Sequence, residues 1–271
     1  MVKPQIKKFR KSGSPGKKQL NWLWGQQSVL ETLQAGRWRV YELFVSNDFY
    51  EQHSDLLKAR QAEGIELEVV SKENLSNVAQ TTEHQGIVAR VSKYPYQSIE
   101  NIETALGTVD KTGASKPLVV IIDRVQDTFS FASILQSCES AGATAVIVGE
   151  YCQTLVTTQV ARLSSGAVNH LEIFQCPDLP SIAKRVQELG FSFLVHDSKS
   201  HQPVCDAGLN GPMALVIGSE VHGVDPALEG ICNLHVNIPM SNPSVELNPS
   251  IATGILLYEI RRQQRQSQYI D

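Results

Sequence analysis

The chain has 271 residues and a formal net charge of −4, with 42% hydrophobic and 19% charged residues. Such a composition is typical of a folded protein with one large domain or two modest ones. No apolar run approaches the roughly 18 residues that a membrane span needs, and no signal peptide is evident. These features argue against a membrane protein or a secreted protein, and we expect a cytoplasmic one.

The five cysteines are scattered and form no C-x-x-C pair, which argues against a zinc site or a disulfide framework. No metal is therefore expected. The chain also lacks a G-x-G-x-x-G after a first strand and a G-x-x-x-x-G-K-[ST] anywhere, which argues against dinucleotide binding and P-loop NTPase activity.

Residues 1–20 are rich in lysine, glycine and serine, and we predict a disordered basic arm there. The segment contains seven basic residues and no acidic one, so the rest of the chain carries −11, the difference between −4 and +7. A basic arm on an acidic body suits contact with a nucleic acid, and a solvated tail that contacts nothing is the other interpretation.

Residues 21–92 alternate helical and strand patterns and predict a small α/β domain. The predicted elements are a helix over 27–34 that stops at Gly36, a strand over Val40–Val45, a helix over 55–63, a strand over 65–70 and a strand over Ile87–Val91. His84 lies at a turn before the last strand, where a histidine is more often structural than a ligand.

Residues 93–117 contain glycine and proline around a weakly helical middle and predict a linker. From residue 118 to 271, fully apolar strands alternate with helices. This order predicts a second, larger α/β domain with a mainly parallel sheet.

The last third contains two predicted strands, Met213–Ile217 and a second over 234–240. Asn248 and Pro249 then suit the start of a helix, because asparagine caps and proline needs no donor there. Ile251, Ile255 and Tyr258 recur at helical spacing, which predicts the buried face of that helix.

The two strands should end at one edge of the sheet, where ligands of α/β proteins bind. Gly218 and Gly223 follow the first strand and permit close approach of the backbone, with the carboxylate of Glu220 between them. The pattern predicts a pocket made largely of main chain, and two ordinary strand-to-helix turns are the alternative.

The strand followed by Gly-Ser-Glu-x-x-Gly, then Ile-Pro-Met, then Leu-Asn at a helix start resembles the SpoU (TrmH-like) RNA ribose methyltransferases of the SPOUT superfamily. The resemblance implies a trefoil knot in the larger domain, a homodimer, and S-adenosylmethionine-dependent 2′-O-methylation of rRNA or tRNA. The smaller domain, with its His-Gln-Gly-Ile-Val-Ala stretch, resembles the domain that binds the RNA substrate in this family.

The resemblance also implies residue roles. Main-chain atoms of Gly218, Ile238 and Leu247 would hold the cofactor, with Met240 lining the pocket. Glu220 and Asn248 match catalytic motif positions. The family's first motif, Asp-Pro-x-Asn-x-Gly-x-x-x-Arg, is altered, and two further catalytic candidates replace its asparagine and arginine, namely Ser130 and Gln136.

These departures leave two hypotheses. Glutamine lacks the charge of arginine, and Glu246 replaces the usual serine before Leu-Asn. In the first hypothesis the protein is an active enzyme in which another side chain substitutes, with Arg124 or Arg162 as the cation and His222 as a base. In the second it is a degenerate relative that binds RNA, with or without the cofactor, and does not methylate.

Overall fold

The computed structural model describes residues 21–107, 116–242 and 246–266. The chain divides into two units: the first contains residues 21–95 with Val156–Asn169, and the second contains Tyr96–Leu155 with residues 170–266. The predicted basic arm lies outside the described residues, and the four-part division of the chain stays a prediction.

The described residues contain ten strands and ten α-helices, which mostly alternate along the chain. The strands are β1 Trp22–Trp24, β2 Val40–Val45, β3 Glu66–Val69, β4 Ile87–Val91, β5 Leu118–Ile122, β6 Ala145–Gly149, β7 Ile173–Cys176, β8 Ser192–His196, β9 Met213–Ile217 and β10 Leu234–Val236. The helices are α1 Gln26–Ala35, α2 Asn47–Gln52, α3 Ser54–Ala62, α4 Lys72–Ala79, α5 Ile102–Leu106, α6 Thr128–Ser140, α7 Thr158–Leu163, α8 Leu179–Glu188, α9 Pro226–Glu229 and α10 Pro249–Gln266.

The first unit has a four-stranded mixed sheet with strand order β1-β4-β2-β3. The predicted strands β2 and β4 are confirmed with the expected bounds, and α1 ends at Gly36, whose φ of 63° suits glycine. Helix α2 and strand β1 were not predicted. Trp-Leu-Trp is too short to show a two-residue period, so only pairing with β4 defines β1 as a strand.

The second unit has a six-stranded sheet, β10-β8-β9-β5-β6-β7, in which every pair is parallel. Strands β5, β6 and β9 are buried at every residue, as expected where helices cover both faces. The predicted α/β class with a mainly parallel sheet is confirmed. The trefoil knot stays a prediction.

Strand β10 is shorter than predicted, because it ends at Val236 and does not reach Met240. The next residue, Asn237, pairs instead with the loop after β8: its backbone N–H donates to Gln202 O at 2.9 Å and its carbonyl accepts from Val204 N at 2.9 Å.

The buried face of α10 was predicted wrongly. Ile251, Ile255 and Tyr258 have 55%, 37% and 70% of their surface exposed. The helix instead buries a neighbouring stripe, which includes Ala252, Thr253, Leu256, Leu257 and Ile260. Positions 252, 256 and 260 also recur at helical spacing, every four residues, so helical periodicity alone does not distinguish the two stripes.

Candidate active site

A tight loop follows β9 at the carboxyl edge of the parallel sheet. Ser219 and Gly223 exchange two backbone hydrogen bonds of 3.0 Å, with Glu220, Val221 and His222 exposed between them. A Cβ atom on Gly218 would lie 2.3 Å from Gly223 C and 2.4 Å from Gly223 O. Glycine is therefore required at position 218 because the backbone folds back onto it.

Three residues from distant parts of the sequence form one hydrogen-bonded cluster. The Ser130 hydroxyl donates to Glu220 Oε1 at 3.3 Å, and Asn248 Nδ2 donates to Ser130 Oγ at 3.2 Å. Asn248 Nδ2 also donates to Glu220 Oε1. Three of the four predicted catalytic residues, one from each motif, are thus in direct contact.

Two helix starts position the cluster. Asp127 caps α6 by accepting from Ser130 N at 2.6 Å, and this hydrogen bond holds the pKa of the Asp127 carboxyl below its usual value. Asn248 caps α10 by accepting from Ser250 N at 2.8 Å. Helices α6 and α10 pack together, and the positive ends of their dipoles favour the Glu220 carboxylate between them.

A cavity of about 150 Å³ opens beside this cluster. Its lining comes from the segment after β5 and from the loop after β9, and consists of Arg124, Val125, Gln126, Asp127, Ser130, Ser219, Glu220, Val221 and His222. Both hypothesised substitutes on these segments, Arg124 and His222, therefore share a cavity with Ser130 and Glu220. The site combines a carboxylate, a hydroxyl, an imidazole and a guanidinium.

Arg124 adopts an unusual backbone conformation, with φ of 56°. Its guanidinium pairs with Asp123 at 3.1 Å and lies 3.8 Å from Asp225. Buried Asp123 also accepts from Asp225 N at 2.7 Å, which ties the end of β5 to the start of α9. We did not predict Asp123 or Asp225 as site residues, and only the position of Asp123 at a strand end could have indicated its role.

Gln136 lies about 9 Å along α6 from Ser130, six residues at 1.5 Å each. It lines a different cavity, a groove of about 590 Å³ between α6 and α10 that also contains Tyr258 and three arginines, Arg261, Arg262 and Arg265. Gln136 is therefore the one predicted catalytic residue that does not lie with the Ser130–Glu220–Asn248 cluster.

The predicted cofactor residues flank the same sheet edge. Gly218 follows β9, and Ile238 and Met240 follow β10, with Ile238 buried and Met240 half-buried. Leu247 is half-buried and immediately precedes Asn248. Because parallel strands end at one edge, these positions can surround a single ligand.

Two other predicted residues lie in the first unit. Arg162 stacks on Trp24, with its guanidinium carbon 3.1 Å from the ring centroid, and burial lowers its pKa. His84 is buried, accepts from Gly86 N at 3.1 Å and pairs with the Ser76 hydroxyl at 3.2 Å. These contacts give His84 a structural role at its turn.

Residues 117–258, a little more than half of the chain, match a family model that is described as the SpoU rRNA methylase family. The chain belongs to the SpoU rRNA methylase family. Residues 22–97 match a second model, described as RNA 2′-O ribose methyltransferase substrate binding. Both predicted resemblances are thereby confirmed.

Relatives of this SpoU family member align along most of its length. It is 29% identical to the 23S rRNA (guanosine-2′-O-)-methyltransferase RlmB of Shewanella oneidensis, over 90% of this chain and 97% of that protein. It is also 29% identical to RlmB of Ralstonia nicotianae, over 81% of this chain and 86% of that protein.

Solved structures agree with the fold. An AdoMet-bound rRNA methyltransferase from Sinorhizobium meliloti gives a TM-score of 0.75 at 20% identity, covering 89% of this chain and 86% of that one. The SpoU methyltransferase AviRb from Streptomyces viridochromogenes gives 0.75 at 22% identity, covering 92% and 91%.

The described residues contain neither a membrane-spanning helix nor a cluster of metal ligands. No helix in ranges 21–107, 116–242 and 246–266 combines the length and the apolar character that crossing a membrane requires. The same ranges contain no group of three or more histidine, cysteine, aspartate or glutamate side chains arranged to hold a metal ion.

Proposed function

We propose that this SpoU family protein transfers a methyl group from S-adenosylmethionine to a ribose 2′-hydroxyl of rRNA or tRNA. The observation that carries the proposal is the contact among Ser130, Glu220 and Asn248 at the carboxyl edge of the parallel sheet. Membership of the family and the match of residues 22–97 to a substrate-binding model support RNA as the substrate.

The cofactor would be held mainly by backbone at the same edge. Main-chain atoms of Gly218, Ile238 and Leu247 would bind it, and Met240 would contribute an apolar wall. Glycine at position 218 lets the backbone of Gly223 pack directly against it, and this tight turn would present main-chain atoms of the loop at the edge of the sheet. When bound, the cofactor supplies the electrophilic methyl group.

The chain's own residues would orient the ribose and help its hydroxyl to lose a proton. Glu220 is held by Ser130 and Asn248, so its carboxylate is already positioned to accept a hydrogen bond from the 2′-hydroxyl. His222 lines the same cavity as a second candidate base. A fixed acceptor next to the reacting oxygen lowers the barrier by reducing the reorganisation that the reaction requires.

Arg124 would replace the arginine that the first motif lacks. Arg124 is the arginine that lines the cavity in the described part of the chain. Its guanidinium has five N–H donors, and Asp123 and Asp225 pair with only some of them. A phosphate beside the target ribose would accept from the remainder.

The degenerate alternative is not favoured by this geometry. Ser130 stands where the family has asparagine, yet it still contacts both Glu220 and Asn248. The substitution therefore leaves the contacts among the three motif positions in place.

Incorporation of labelled methyl groups into unmodified rRNA and tRNA transcripts tests the proposal. The parent protein should methylate RNA, and Asn248→Ala should lower the rate, because Glu220 loses a donor that fixes it. Gln136→Arg and Glu246→Ser, which restore family residues, are run beside the parent. Activity only in these restored variants would establish the degenerate alternative, and activity in none would overturn the proposed function.

We also propose a homodimer in the cytoplasm. Three large apolar side chains of α10 are exposed, Ile251, Ile255 and Tyr258, and so is Phe129 in the first turn of α6, which packs against α10. An apolar face of this kind on two packed helices suits a second copy of the chain.

A further inference from the structure

The loop between β6 and α7 carries an exposed aromatic side chain at the edge of the parallel sheet that contains the candidate active site. Strand β6 pairs in parallel with β5, so residues 150–155 leave the sheet beside residues 123–127. Tyr151 is 67% exposed and Leu155 is 49% exposed in this loop. Single exposed apolar side chains are common on protein surfaces, so it is the position of this loop at the ligand-binding edge of the sheet that makes Tyr151 a candidate contact.

Hydrogen bonds hold this loop against the segment that lines the active-site cavity. Thr154 N donates to Val125 O at 3.1 Å, and the Thr154 hydroxyl donates to Gln126 O at 2.5 Å. In return, Val125 N donates to Gln153 Oε1 at 2.9 Å and Gln126 Nε2 donates to Cys152 O at 3.4 Å. The loop and the cavity wall therefore form one connected structure.

The backbone next to Tyr151 is held in a conformation that non-glycine residues rarely adopt. Cys152 has φ of 55°, close to the 56° of Arg124 on the facing segment. Each such residue costs on the order of 1 kcal/mol or more and persists only where surrounding contacts enforce it. The hydrogen bonds from residues 152–154 to Val125 and Gln126 hold the segment that follows Tyr151.

The cavity is too small to enclose a nucleotide. Its volume of about 150 Å³ lies below the roughly 300–1,000 Å³ of sites that enclose a whole small ligand. A ribose and its phosphate can contact Glu220 and Arg124, but the base must lie outside, over the rim of the cavity. Proteins that bind single-stranded RNA place aromatic rings where bases lie and stack the bases on them.

We propose that Tyr151 is the platform on which a base of the substrate RNA stacks, at or next to the nucleotide whose ribose is methylated. This inference rests on the proposed function, and it identifies an unpaired nucleotide as the feature that the site recognises. Stacking requires the ring and not the phenolic hydroxyl, so phenylalanine at position 151 preserves it. The neighbouring carboxylate of Glu150, which is exposed, makes the loop a poor contact for phosphate and favours a contact with the base.

Binding of a 12-nucleotide single-stranded RNA, compared with an abasic RNA of the same length, tests stacking without requiring turnover. We expect Tyr151→Ala to weaken binding of the intact RNA by about 5- to 150-fold, the usual range for loss of one base–aromatic stack. Tyr151→Phe should bind like the parent, and all three proteins should bind the abasic RNA equally. Leu155→Ala, a matched change on the same loop, should stay within about twofold.

Kinetics on the RNA that the parent methylates provide the second measurement. The KM of Tyr151→Ala for RNA should rise by a similar factor, with a much smaller change in kcat and an unchanged affinity for S-adenosylmethionine. Equal binding by Tyr151→Ala and the parent would overturn the proposal, as would an equal loss in Tyr151→Phe. A change of oligomeric state in Tyr151→Ala would assign the ring to a protein contact and also overturn it. A parent that stacks the base but transfers no methyl group would refute the proposed function alone.

Discussion

Replacing Gly218 with alanine is the sharpest structural test of the loop after β9. The added Cβ would lie 2.3 Å from Gly223 C, 2.4 Å from Gly223 O and 2.5 Å from Val224 N. Favourable contacts between non-bonded carbon atoms are 3.5–4.0 Å. All three neighbours are backbone atoms, so the strain cannot be relieved by rotating a side chain.

The expected loss of stability can be worked out from the backbone atoms that the added Cβ displaces. Displacing Gly223 by about 1 Å disrupts the two hydrogen bonds that it exchanges with Ser219, each worth about 1 kcal/mol. Overpacking of this kind adds about 1–3 kcal/mol. We therefore expect Gly218→Ala to lower the free energy of unfolding by about 3–5 kcal/mol and to weaken binding of S-adenosylmethionine at least tenfold.

Urea denaturation and calorimetry with S-adenosylmethionine measure the two effects. Gly208→Ala is the matched control, because nothing lies within 4 Å of its added Cβ and its φ is not in the left-handed region. That change should be neutral or stabilise the protein by up to about 1 kcal/mol. If Gly218→Ala is as stable as Gly208→Ala and binds the cofactor equally well, the description of this loop is wrong.

Three further predictions concern the helix caps, the cavity and the exposed face. Asp127→Ala should lower the free energy of unfolding by about 0.5–2 kcal/mol at pH 7, through loss of the α6 cap, whereas Asp127→Asn should stay close to the parent in urea denaturation. Arg124→Gln should lower the methylation rate about 10- to 150-fold, as expected for loss of one charged hydrogen bond, and Arg124→Lys should retain part of it; unchanged rates would exclude Arg124 as the phosphate contact. Ile255→Glu should convert a dimer to a monomer in light scattering, while Lys184→Glu on α8 should not, and a dimer in both variants would exclude the outward face of α10 as the interface.

The Asp127 prediction has a defined pH dependence. The Ser130 N–H stabilises the charged carboxyl, so its pKa is lower in the folded protein than in the unfolded chain. The stabilisation is complete above the unfolded value of about 3.9 and is lost as pH falls through the lower folded value. The stability gap between the parent and Asp127→Ala should therefore narrow below about pH 4, and a constant gap down to about pH 2 would contradict the capping role.

The sequence predicted correctly a buried strand and a helix cap, which depend on residues that are close together in the chain. Strand β9 is a run of five apolar residues bounded by proline and glycine, and its bounds agree with the structure. Asn248 caps α10 as its residue type suggests. Recognition of the three family motifs indicated Ser130, Glu220 and Asn248 as one site, which the structure brings into contact.

Long-range contacts account for what could not be predicted. The exposed Ile251–Ile255–Tyr258 stripe and the buried one both follow helical periodicity, and the packing of α10 against its neighbours, chiefly α6, distinguishes them. The link between Asp123 and Asp225 spans 102 positions, and no local pattern marks it. The hydrogen bonds that hold residues 152–154 against Val125 and Gln126 likewise join two loops that the sequence keeps apart.

The central claim is that the carboxyl edge of the parallel sheet directs methyl transfer to a ribose oxygen. Mass spectrometry of nucleosides from unmodified rRNA and tRNA transcripts, incubated with the protein and trideuteriomethyl S-adenosylmethionine, tests this directly. We expect a nucleoside with a deuterated methyl group on the ribose, in an amount that falls when Glu220 is replaced by glutamine. A label found only on bases, or no label from folded protein that binds the cofactor, would contradict it.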